Sequence, residues 1–121
     1  MNFVCYKSNP QHRGGLPITQ KSQWRIPEVD ETALFDKAKS NGWICPKNCL
    51  WSIDDDFCVI GEDIAGDLYV AKFWGNQGEW HGFPVSMKRD VDRPPTSAIS
   101  DWVDKKIIRK RIGNKMAWGQ F

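Results

Sequence analysis

Glu79 and His81 stand two residues apart in the run Glu79-Trp80-His81-Gly82-Phe83-Pro84. In an extended strand residues i and i+2 share a face, so the carboxylate can orient or charge the imidazole. A general acid or base needs such a neighbour, and Arg89, Arg93 or Lys72 would stabilise developing negative charge. Metal-independent cleavage of RNA is one reaction these groups run. The same pair also serves ordinary structural hydrogen bonding, which is the leading expectation for His81, with Glu79, His81 and Arg89 kept as the catalytic candidates. The second histidine, His12, falls in a segment without periodicity. The chain has no G-x-S-x-G, P-loop, Rossmann fingerprint or H-E-x-x-H, so the main motif-borne reaction classes are excluded.

Cys45, Cys49 and Cys58 raise the question of metal, since three thiolates plus Cys5 or a histidine would complete a zinc tetrahedron. The spacing is not paired C-x2-C, and no histidine lies close in sequence. Buried, reduced thiols acting as small hydrophobes are the expectation, with no cofactor.

The net charge is only +2 but unevenly distributed: six acids and no base from Asp54 to Asp67, six bases and no acid from Lys105 to Lys115. The acidic stretch fails the calcium-loop pattern for want of its third ligand and its glycine, and reads as turns. Lys105, Lys106, Arg109, Lys110, Arg111 and Lys115 are the nucleic-acid candidates, because on a helix most of them leave the Ile107/Ile108/Ile112 stripe. The same pattern describes a solvated amphipathic helix, and an isoelectric point near 8.4 is modest for a dedicated nucleic-acid binder. Of the seven tryptophans, Trp51, Trp74 and Trp102 fall on expected core faces. Trp24, Trp43, Trp80 and Trp118 fall near turns, strand ends or the tail and are the interface candidates.

The elements that must position these groups follow from punctuation and period. Residues 1–28 read as irregular but docked on the core, with a short strand at Phe3 to Tyr6; the Gly14-Gly15 pair beside His12 and Arg13 could form an anion-accepting nest, but a plain surface loop is the leading expectation there. A helix over 31–41 is predicted, capped by Asp30, stapled by Val29 and Leu34, and ended by Gly42 in the left-handed region. Four extended runs follow, at 50–53, 57–60, 68–74 and 79–85, with loops at 61–66 and 75–78. They predict an antiparallel meander over about 49–85, with Pro84 at a strand end or an edge. Pro94-Pro95 leads into a helical region over 97–112, capped by Thr96 or Ser97. A break near Asp104 and a stop at Gly113-Asn114 complete it, and the tail with Trp118 and Phe121 docks. The expectation is an α+β fold in one domain over 1–121.

At 121 residues and 40% apolar content, disorder is excluded, and no apolar run reaches the ~20 residues of a membrane span. Met1 to Lys7 lacks the form of a secretion signal, so a cytoplasmic location is expected. The leading functional expectation is a non-catalytic protein that binds another macromolecule, as a regulatory or neutralising module acting on a protein or on a second copy of itself. The alternative is a nucleic-acid-binding protein or small metal-independent ribonuclease that uses segment 105–115 and His81.

Overall fold

A computed structural model describes residues 5–76 and 78–121. Among them the chain runs β1 (Cys5–Tyr6), β2 (Gln23–Trp24), α1 (Glu28–Asn41), β3 (Leu50–Ile53), β4 (Gly61–Asp63), β5 (Gly66–Leu68), β6 (Val70–Asn76), β7 (Glu79–Val85), α2 (Thr96–Asp104) and α3 (Lys110–Ala117). Single 3-10 turns lie at Pro10–His12 and Asp90–Asp92. The fold is α+β with two sheets, ordered β1-β7-β6-β3 and β2-β4-β5.

The larger sheet is mixed, which corrects the expected all-antiparallel meander. β1 runs parallel to β7, pairing Cys5 with Glu79 and Tyr6 with Trp80. Phe3 and Val4, expected to open that strand, lie outside the described residues. The β6–β7 hairpin matches the expectation, although β6 runs on to Asn76 rather than stopping at Trp74. β3 pairs with β6 and skips the run 57–60, which is not a strand. The reason is local: the Asp54 carboxylate accepts the amides of Asp56 and Cys58, and Phe57 is turned to φ 53°. The presumed loop 61–66 is instead the β4–β5 hairpin, closed by Asp63 accepting from the amides of Ala65 and Gly66. β2 joins that hairpin, so the segment before residue 28 is less irregular than expected. Among the described residues nothing pairs with the outer side of β7 beyond Trp80, so Pro84 lies at an edge there.

α1 begins at Glu28 with Pro27 as its N-cap. Asp30 sits inside the first turn with Glu28 and Glu31, where acids complement the dipole rather than cap the helix. Val29 is exposed, so no staple forms. Gly42 ends the helix at φ 68°: its amide bonds to the Lys39 carbonyl and that of Trp43 to Ala38, the Schellman pattern. The break at the end of α2 is present, but the next helix is α3 at 110–117 rather than 105–112, and Pro95, not Thr96 or Ser97, is the N-cap of α2. Gly113 lies inside α3 because it is a contact glycine, with Val103 and Ile99 of α2 against its missing side chain. Trp118 is 75% exposed rather than docked, whereas Phe121 does pack, against Phe57 and Tyr69.

The core draws on both sheets and all three helices, with Trp24, Phe35, Trp43, Trp51, Val70, Phe73, Trp102 and Met116 all buried. Phe73 is its aromatic hub: Tyr6 and Phe35 meet it edge-on at 5.6 Å and Trp24 lies stacked at 6.4 Å. Room for that ring comes from Gly82, its cross-strand partner; Gly75 lies under the Trp80 ring in the same way. A Cβ on Gly82 would fall inside the Phe73 ring. Gly82→Ala is therefore expected to lower stability by about 2 kcal/mol, the scale of overpacking a filled core. Urea unfolding of the variant checks this, and an unchanged midpoint would contradict it.

Candidate functional site

The N-terminal segment reaches the sheet through one buried carboxylate. Glu31 on α1 accepts from the Tyr6 hydroxyl, from Ser8 Oγ at 3.0 Å and from Arg13 Nε at 2.8 Å. Burial first, and then the hydrogen bond to Glu31, push the Tyr6 hydroxyl far above its ordinary range, so it stays a donor. Held this way, residues 5–13 form a strap whose 3-10 turn carries His12 against β7.

His12 is only 6% exposed and lies stacked on Phe83, ring centroids 5.1 Å apart. Its Nδ1 is 2.8 Å from the Ser22 carbonyl oxygen, which assigns the proton to Nδ1 and leaves Nε2 as acceptor. Ser22 Oγ in turn donates to the Pro84 carbonyl at 2.7 Å, tying the strap to β7 a second time. Burial holds the His12 pKa below its ordinary value, outweighing the hydrogen bond to Ser22, which acts to raise it.

His81 lies on the same face of β7 as Phe83. Its Nε2 is 3.0 Å from Glu79 Oε1 and its Nδ1 3.1 Å from the Lys7 carbonyl oxygen. A neutral ring donates to only one of these acceptors; a doubly protonated ring donates to both. Trp74, the cross-strand partner of His81, has its ring 5.6 Å away and is 44% exposed. Both histidines and Trp74 line one cleft of about 670 Å³, together with Lys21, Lys88 and Arg89. These three cations make no side-chain hydrogen bond or ion pair among the described residues, while of the lining acids Asp63 and Asp92, the latter is bridged to Lys72. The lining thus carries an excess of positive charge.

The other candidates divide. Lys72 and Arg93 are taken up internally, Lys72 by Asp92 and the Val91 carbonyl, Arg93 by Asp90 and the carbonyls of Met87 and Lys88. The Gly14-Gly15 nest does not form, because the Gly14 amide goes to Gln23 Oε1 and the Gly15 amide to the Pro10 carbonyl. Trp24 and Trp43, expected near the surface, are buried, and the Trp43 indole donates to Asp101 at 2.7 Å. Trp80 is half-buried against Phe35. Trp74, expected in the core, is exposed because it lies near the far end of β6, beyond the core ring of Phe73. Lys105 pairs with Asp101 at 2.9 Å in the turn after α2. Lys106, Arg109, Lys110 and Arg111 are exposed and Lys115 is half-buried, spread over that turn and α3 rather than along one helix.

The cysteines do not gather into a metal centre. Cys5 and Cys58 are exposed, Cys45 and Cys49 half-buried, and none is fully buried as a small hydrophobe would be. Among the described residues no three His, Cys, Asp or Glu side chains come together with metal-ligating geometry. Nor is any helix there long and apolar enough to cross a membrane. Sequence reasoning noticed His12 but could not place it, and it missed Lys21 and Lys88. The one available signal was that His12 is the chain's other histidine.

The lowered His12 pKa fixes a pH effect. Above the ordinary value of 6.5 the ring is neutral in the folded and unfolded chain alike and contributes nothing. Below it the unfolded chain binds a proton that the folded ring resists, so stability falls as pH drops from about 6.5 toward the folded value. His12→Asn should lose less stability than the parent between pH 7 and pH 5. Urea midpoints at the two pH values measure this, and equal losses would contradict it.

Comparison with protein-family models, curated proteins and solved structures finds no match to this chain.

Proposed function

We propose that the cleft binds single-stranded RNA and cleaves it without metal. The observation that carries this reading is that the chain's only two histidines, distant in sequence, line one cleft with an exposed tryptophan and three cations that are unpaired among the described residues. Trp74 offers a stacking face for a base, and Lys21, Lys88 and Arg89 neutralise phosphates. His12, kept neutral by burial, takes the proton of a ribose 2′-hydroxyl through Nε2 as that oxygen attacks the adjacent phosphorus. The bond to the 5′-oxygen breaks, and His81, held at Nδ1 by the Lys7 carbonyl, turns its Nε2 proton from Glu79 to the leaving oxygen and donates it. The products are a 2′,3′-cyclic phosphate and a 5′-hydroxyl, and Arg89 stabilises the charge that develops on phosphorus.

The test uses labelled oligoribonucleotides in EDTA. Cleavage should persist with the chelator, and His12→Ala or His81→Ala should each slow it at least ~100-fold, the usual worth of a general acid or base. An oligonucleotide of 2′-deoxyribose should bind uncut, and Trp74→Ala should weaken its binding about tenfold. Arg89→Glu should flatten the salt dependence of binding. Absence of both binding and cleavage at low salt overturns the reading. Binding without cleavage reduces it to recognition alone.

A second reading, docking of another protein chain, is supported by Ile64, which is exposed and shares the cleft wall with Trp74. It predicts a complex that survives high salt and that Trp74→Ala with Ile64→Ala weakens, because apolar burial is not screened.

A further inference from the structure

Between α1 and β3 the chain makes a tight hairpin that the proposed RNA site does not use. Ile44 bridges Leu50, the Cys45 amide donates to the Cys49 carbonyl at 3.0 Å and the Trp51 amide to the Trp43 carbonyl at 2.9 Å. These bonds place Cys45 and Cys49 directly opposite each other as the last pair before the turn. The turn is closed by the Asn48 amide on the Cys45 carbonyl at 2.9 Å, with Asn48 at φ 61°. Opposed residues of this hydrogen-bonded type lie about 5.5 Å apart between Cα atoms, with their side chains on the same face. Disulfides span about 4.4–6.8 Å. Both thiols are half-buried but reachable, whereas Cys5 and Cys58 stand apart in exposed positions.

We propose that Cys45 and Cys49 are a redox dithiol that exchanges with disulfides of low-molecular-weight thiols, closing to an intrachain disulfide across this hairpin.

The surroundings separate the two thiols into attacking and resolving partners. Burial acts to raise the Cys45 pKa. The Trp51 indole N–H, the amides of Cys49 and Lys47 and the Cys49 thiol outweigh it, leaving Cys45 below the ordinary value. Among the described residues that buried indole N–H has no partner within hydrogen-bond geometry, so a thiolate on Cys45 is the acceptor it lacks. Cys49 is pushed up, first by burial and then by the negative charge of Cys45, with Lys72 and Lys47 acting in the opposite sense. Cys58, by contrast, is raised by the Asp54 carboxylate beside it.

With oxidised glutathione as the oxidant, the Cys45 thiolate attacks one sulfur and the glutathione S–S bond breaks. One glutathione thiolate leaves and a mixed disulfide forms on Cys45. Cys49 then loses its proton to solvent and attacks the Cys45 sulfur, displacing the second glutathione. Two protein thiols are oxidised to one disulfide, and one glutathione disulfide is reduced to two thiols.

The experiment uses the full chain carrying Cys5→Ser and Cys58→Ser, both at exposed positions. It is equilibrated in glutathione buffers of graded poise, acid-quenched, alkylated and weighed intact. The expected result is a single transition from a doubly alkylated chain to an unalkylated one whose mass is two hydrogens below that of the reduced, unalkylated chain. Adding Cys49→Ser should instead trap one stable glutathione adduct on Cys45. Peptide mapping of the unsubstituted chain after the same treatment should find a Cys45–Cys49 link. Two alkylatable thiols under oxidising conditions, or stable glutathione adducts while both thiols are present, would overturn the proposal.

Discussion

The Glu31 carboxylate has no exposed surface, and three donors from the N-terminal segment keep it satisfied. An ionised carboxylate taken out of water costs several kcal/mol unless it is paired and hydrogen-bonded, and stripping away its partners leaves that cost uncompensated. The strap is therefore bound to α1 by necessity. Everything it carries is fixed by the same demand: the parallel strand on β7, the Ser8 hydroxyl that accepts from Arg13 Nε at 3.2 Å while donating to Glu31, and the turn that lays His12 on Phe83. The core of α1 is apolar at Leu34, Phe35 and Ala38. Glu31 extends that stripe by one turn, with an ion where a leucine would otherwise sit. The arrangement trades a cheaper apolar contact for a directional one, and direction is what places an imidazole.

The cleft inherits its asymmetry from the two ways its histidines are held. His12 is clamped between an aromatic ring and a backbone carbonyl, in surroundings that oppose charge. His81 faces a carboxylate and a carbonyl, both of which accept. One strand face thus carries an imidazole that resists a proton close to one whose two nitrogens both face acceptors, and Trp74 forms an apolar wall beside them. The difference between the two settings comes from burial around His12 and from the acceptors that face His81.

Local chemistry was legible in the sequence where one residue decides it. Gly42 ends α1, the β6–β7 hairpin falls between its glycines, and α2 breaks after Asp104. Glu79 and His81 share a strand face for the same reason, since a period of two is fixed by the backbone. What could not be read depended on distant partners. β1 is two residues long, and no periodicity announces a parallel pairing with Glu79 and Trp80. Trp43 looked like a turn residue, but the Schellman cap swings it inward to meet Trp102 at 5.6 Å and Asp101. The run 57–60 has strand composition, yet an upstream aspartate claims its amides. His12 sits in a stretch without pattern because its position is set by Glu31 and Phe83, which local spacing does not encode.

The parallel pairing of β1 with β7 also bears on the order in which the molecule is built. Cys5 meets Glu79 only after most of the chain exists, and closing so long a loop carries an entropic cost that local hairpins and helices avoid. α1 and the β6–β7 hairpin can form from neighbouring residues, but the strap must wait for both. During vectorial synthesis His12 emerges early and has nothing to stack on until Phe83 has followed it. The cleft is thus assembled only once β7 has been made, and a chain stalled before Phe83 carries His12 without the ring it stacks on.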